Sequence, residues 1–216
     1  MRSQQSGFTL VEIAIVLVII GLLLGGILKG QELINSAKVK NLANDFRVIP
    51  TYIYAYQDKF KSLPGDDSQV AAHITGATAG TGGTLGNGVI EGDWNAGETT
   101  TVESNVFWQH VRLANLAAGP TALAAGYAPT NAVGGRLGVN SAIAAQLQIN
   151  GMTGTYQVCS AGILGKFAKQ LDIQMDDGQT NTGSMRAVPD GSAIPFNATL
   201  TNVIDEAAPY TVCMTF

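Results

Sequence analysis

The stretch GFTLVEIAIVLVIIGLLLGG, Gly7 to Gly26, is apolar at nearly every position, yet it carries a carboxylate at Glu12. The apolar run extends to Leu28, and residues 8–28 are long enough to span a bilayer core as a helix. Fifteen of these positions are Phe, Leu, Ile or Val, each favouring insertion by roughly 0.3–0.6 kcal/mol, whereas an acid at the helix centre opposes it by about 2.5–3.5 kcal/mol. Insertion therefore wins. An acid in lipid nonetheless needs a partner, and no cation lies within a helical turn or two inside the run.

A removable secretory signal ends in a small-residue cleavage site after its apolar region. Here the C-terminal flank, GGILKGQELINSAK, continues as helix-compatible sequence. The processing candidate lies upstream, in MRSQQSG. Cutting there keeps the apolar helix on the mature chain as an anchor. If the cut follows Gly7, Phe8 gains a free amine, and that amine or a neighbour's neutralises Glu12.

These residues resemble the prepilin N-terminus of type IV pilins and type II secretion pseudopilins. The resemblance rests on a short leader with Arg2, the glycine at the cut (Gly7), Phe8, Thr9-Leu10-Val11 and Glu12. It implies that a prepilin peptidase cleaves between Gly7 and Phe8 and that the same enzyme N-methylates Phe8. It implies that Glu12 attracts the amine of an adjacent subunit and sets filament register. The implied partners are further copies of the chain, other pilins, and an inner-membrane assembly platform with its ATPase. No cofactor and no catalytic residue is implied. The expected location is the inner membrane with a periplasmic head, then an extracellular pilus or a periplasmic pseudopilus. Local charge counting leans the other way, because Lys29, Lys38 and Lys40 follow the span and only Arg2 precedes it. A large exported head need not obey that count.

The expected organisation is a leader over 1–7, an N-terminal helix over 8–60 with 8–28 as membrane segment or filament core, and an α+β head over 61–216 with a small antiparallel sheet. Leu42, Phe46, Ile49, Ile53, Tyr56, Phe60 and Leu63 alternate spacings of 4 and 3 and so line one helical face. Pro50 reads as lying off that stripe, predicting a kink rather than an end. LPGDD (63–67) is expected to stop the helix, with Asp66 or Asp67 capping a short helix to about Ile74. Gly21, Gly25, Gly26 and Gly30 permit close helix approach in a membrane; loss of helical order there in an assembled fibre is the sharper alternative.

Residues 75–103 are loop-like by their Gly, Thr and Asn content, with a short strand expected near Val89–Ile90. ESNVFWQHVRLANLAAG reads as a helix, as does ILGKFAKQLDIQMDDG, with Ile163, Phe167 and Leu171 at helical spacing and Gly178 near its end. RLGVNS, TYQVCS, SMRAV and PYTVCMTF read as strands.

The head argues against nucleic-acid binding: from Lys61 onward six basic residues face twelve acids, against a whole-chain charge of −4. Two cysteines in an export context suggest one disulfide, Cys159–Cys213, anchoring the C-terminal strand; two buried thiols are the alternative. Asp172, Asp176 and Asp177 are a weak cation candidate that lacks EF-hand spacing, and Asn87, Glu91 and Asp93 are a second. His73 and His110 lack metal-ligand spacing, and Trp94 and Trp108 read as core or loop anchors. No hydrolase, zincin or P-loop pattern occurs. The fitting function is therefore a pilin of a type IV pilus-like filament. The alternatives are a type II secretion pseudopilin and, in a different class, an anchored periplasmic enzyme or binding protein that does not polymerise.

Overall fold

A computed structural model describes residues 7, 9–143 and 146–216. The order is a long helix α1 (Leu10–Phe60), a single turn α2 (Val70–His73), α3 (Glu103–Leu113), strands β1 (Leu137–Ser141) and β2 (Tyr156–Leu164), α4 (Gly165–Met175), then β3 (Met185–Pro189) and β4 (Pro209–Thr215). The strands form one antiparallel sheet in the order β1-β2-β4-β3. A long N-terminal helix followed by a small antiparallel sheet with helices is the α+β, pilin-like architecture. Two compact units divide the chain, residues 1–38 and 39–216, so the second half of α1 folds as part of the head.

In the first unit, α1 is apolar on every side and exposed throughout from Leu10 to Leu28, with Glu12 the one charge. It is long and apolar enough to cross a membrane. In the second unit the expected stripe is the buried face: Leu42, Phe46, Ile49, Ile53 and Tyr56 are enclosed, as are Val39 and Ala43. Pro50 is a correction. It lies four residues after Phe46 and three before Ile53, on the buried face, and the helix runs through it. The ring supplies apolar contact in exchange for one lost backbone bond.

The helix ends at Phe60, as expected, so Leu63 of the expected stripe lies beyond it. Lys61 takes a left-handed conformation (φ 58°) directly after Phe60, and its N–H donates to the Gln57 carbonyl at 2.8 Å. The cap of α2 is a second correction. Gln69 precedes it with no side-chain cap bond; at this helix start the Asp67 carboxylate reaches only the Gln69 N–H, and Asp66 binds the glycine-rich loop. Val89–Ile90 forms no strand; buried Ile90 instead exchanges bonds with Ser141, its N–H donating to Ser141 Oγ and its carbonyl accepting from Ser141 N–H. Ile163 belongs to β2 rather than to α4.

Alternation along the strands splits the core. Val139, Val158, Ala187 and Val212 share one cluster with the stripe of α1 and with Phe107 and Val111 of α3. Cys159, Val188 and Cys213 point the other way, to a smaller cluster with Trp94, Leu147, Ile149 and Met152.

Helix α3 is buried on every side, from Glu103 to Arg112. Its polar side chains fasten the loops. Asn105 Nδ2 donates to the carbonyls of Glu98 and Thr100, and Gln109 Nε2 to that of Thr121. Arg112 Nη1 donates to the carbonyls of Pro120 and Tyr127, at 2.8 Å each. The long loops around α3 thus satisfy their backbone groups through one helix rather than through a ladder.

Candidate functional site

Residues Thr9 to Glu12 build a capping box at the start of α1. The Thr9 N–H and hydroxyl both donate to Glu12 Oε2, at 2.8 and 2.7 Å. In return the Glu12 N–H donates to Thr9 Oγ1 at 3.3 Å. Two backbone donors that a helix start leaves unpaired are thereby satisfied. Glu12 therefore has a neutral partner three residues upstream, which its reading as an isolated acid missed. The signal was present: Thr-x-x-Glu before an apolar run is a helix-start signature. The carboxylate is solvent-exposed and sits where the helix dipole favours a negative charge, so a second, cationic partner has access to it. Gly7 is exposed; Phe8, the expected site of cleavage and methylation, lies outside the described residues.

The helix is unbroken from Gly21 to Gly30. A Cβ added at Gly21, Gly25, Gly26 or Gly30 would meet nothing within 4 Å. No contact in the single chain calls for these glycines. Any need for small residues there arises against a second helix.

The junction of α1 with the rest of the head is polar and enclosed. Tyr56 donates its hydroxyl to Asp67 Oδ2 at 2.8 Å, and His73 Nδ1 meets the same oxygen at 2.7 Å. The Gln69 N–H donates to Asp67 Oδ1 at 2.9 Å. Burial pushes the Asp67 carboxyl up, but the bonds from His73, Gln69 and Tyr56 outweigh it and hold the group below the usual carboxylate range. Gly65, at φ 95°, donates its N–H to His110 Nδ1 at 2.9 Å, while His110 Nε2 meets the Thr78 carbonyl at 2.8 Å. His110 is thus a neutral buried strut whose ring stacks on Tyr56, with centroids 6.1 Å apart. Burial lowers its pKa. His73 stacks on Phe60. The two histidines serve this junction.

Cys159 and Cys213 stand opposite each other on β2 and β4 and are disulfide-bonded, with Cα atoms 4.1 Å apart. The bridge staples the C-terminal strand to the centre of the sheet. Trp94 is buried, donating Nε1–H to Gln148 Oε1 at 2.7 Å, and Trp108 packs in the main core.

The first cation candidate comes apart. Asp176 Oδ2 accepts the Met185 N–H at 2.8 Å, and Asp177 accepts from Thr182 Oγ1 and the Gln179 N–H. Both shape the turn after α4. Asp172 is buried in α4; burial, then the Asp177 charge, push it up to about 6, outweighing the Gly178 and Gln179 backbone N–H groups. The second candidate is replaced. Only Glu91 of that set joins a carboxylate group of metal-binding size, and its companions are Asp66 and Glu103. Burial, then the Glu91 carboxylate, push Glu103 up to about 8.

A family model described as the prokaryotic N-terminal methylation motif matches residues 2–28. This is the prepilin motif of type IV pilins and pseudopilins, a class of structural subunits. Searches of curated proteins and of solved structures return no match.

Proposed function

We propose that the chain is a structural subunit of a bacterial type IV pilus-like filament. The observation that carries this reading is the coincidence, on one helix, of the methylation motif at residues 2–28 and an apolar surface exposed all round from Leu10 to Leu28. Such a surface suits lipid before assembly and sister helices afterwards, since both remove it from water.

Cleavage after Gly7 gives Phe8 a cationic amine. Glu12 of one subunit then pairs with that amine on its neighbour, at low dielectric, and fixes the axial step between helices. The capping box holds the carboxylate ready on the rim of the helix. The head stays in the periplasm during this stage, and a membrane platform with its ATPase drives extraction. The motif serves a type II secretion pseudopilin as well, so the decisive experiment is imaging. Cells carrying the gene should show surface fibres containing this chain. Deletion, or Glu12→Ala, should remove them. A chain confined to the periplasm with intact secretion dependence would assign it to the pseudopilus instead.

A further inference from the structure

The LPGDD turn, the glycine-rich loop and the start of α3 meet at three carboxylates. Asp66, Glu91 and Glu103 each present an oxygen, and the three oxygens lie within 4.8 Å of one another. Asp66 is 2% exposed and Glu103 is fully buried, so this charge is held largely out of solvent. Asp66 Oδ1 accepts N–H groups from Gly86 and Asn87, and Oδ2 accepts that of Gly88 at 2.7 Å. Glu91 Oε1 accepts from Asn87 Nδ2 at 2.7 Å, and Glu103 Oε2 accepts the Glu91 N–H at 2.9 Å. That leaves Glu91 Oε2 and Glu103 Oε1, two buried oxygens with no hydrogen-bond partner.

Among the described residues, no ion pair with a basic side chain involves Asp66, Glu91 or Glu103. The ion pairs among the described residues are Lys29–Glu32, Lys61–Asp58, His73–Asp67 and Lys169–Glu206. Lys61 lines the cavity beside Asp66 but turns to Asp58. Space is kept clear by glycines: a Cβ on Gly83 would strike the Glu91 carboxylate, and one on Gly80 would strike the Gly65 carbonyl and Glu103 Cγ.

We propose that Asp66, Glu91 and Glu103 form a calcium site in the head. The two buried oxygens without a donor, Glu91 Oε2 and Glu103 Oε1, are costly, and a divalent cation satisfies both while Asp66, already held by three N–H groups, adds a third oxygen. The donors are all oxygen, which selects a hard cation, and their 4.8 Å span suits ligands about 2.3–2.6 Å from calcium. The residues come from three separate segments, at positions 66, 91 and 103. The ion would therefore tie the loop to both the end of α1's turn and the start of α3. This inference is independent of the filament reading.

The test uses the full chain in detergent micelles, stripped with EGTA, at pH 7.5. Calcium chloride should bind one ion per chain by calorimetry and raise the melting temperature, with equimolar magnesium chloride much less effective. Hydrogen exchange in residues 80–92 should slow with calcium. Glu91→Gln, on the half-buried rim, should weaken calcium binding by at least about tenfold, and Glu103→Gln should abolish the melting shift. If the parent chain binds no calcium at 10 mM, or if both variants retain the parent's affinity, the site is refuted and the cluster is a pair of acids sharing a proton. Should Glu103→Gln fail to fold, the Glu91→Gln titration decides alone.

Discussion

The two halves of α1 obey opposite rules. From Leu10 to Leu28 the helix is apolar on all sides apart from Thr9-bonded Glu12, and every residue of it is exposed. After Val39 it shows one buried face, and around it the head hides even polar side chains, as α3 does from Glu103 to Arg112. An enclosed Asn105, Gln109 or Arg112 is stable because the chain itself supplies the carbonyls these groups need. An exposed Leu17 or Ile20 has no such internal remedy. The head supplies these polar side chains of α3 with partners from within the chain, whereas the first half of the helix presents an apolar surface suited to lipid or to other helices.

Four perturbations sharpen that contrast. The largest concerns the head alone: Cys159→Ala with Cys213→Ala should destabilise it by about 4 kcal/mol, from the loop that the bridge closes. Melting followed by circular dichroism checks this, and dithiothreitol should reproduce it. Next, Val18→Lys should oppose membrane insertion by roughly 3 kcal/mol and leave the head's melting temperature unchanged, as read by membrane fractionation beside a thermal melt. A comparable loss in head stability would mean the halves are not independent. Tyr56→Phe removes one buried bond to Asp67 and should lower head stability by about 1–2 kcal/mol, leaving insertion untouched.

The most local is a pH effect. Asp172 titrates near 6 in the folded chain against an ordinary 3.8. The folded state therefore holds a proton that the unfolded state has released between those values, and this contribution to stability falls as pH rises from about 4 to 6, then stays flat. Asp172→Asn should remove that slope. Melts at several pH values for both proteins, differing only above pH 4, provide the check.

Much of this was readable from periodicity. The stripe on α1, all four strands and helices α3 and α4 follow from spacings that local sequence displays. What escaped depends on residues brought together from a distance. Pro50 looked peripheral because its ring was not counted as apolar surface. The enclosure of α3 was hidden because an amphipathic pattern implies a solvent face, and here loops occupy that face. Glu91 was grouped with its sequence neighbours Asn87 and Asp93, whereas folding joins it to Asp66 and Glu103. The Thr9–Glu12 box is local and legible, since Thr-x-x-Glu before an apolar run gives the acid a neutral partner.

The account's central claim is that the apolar helix is kept, trimmed and given one new positive charge for Glu12 to meet. Mass spectrometry of the N-terminal peptide from the native protein tests it most directly. The account predicts a peptide beginning at Phe8 and heavier by one methyl group. A peptide beginning at Met1, or one starting beyond Leu28, would contradict it.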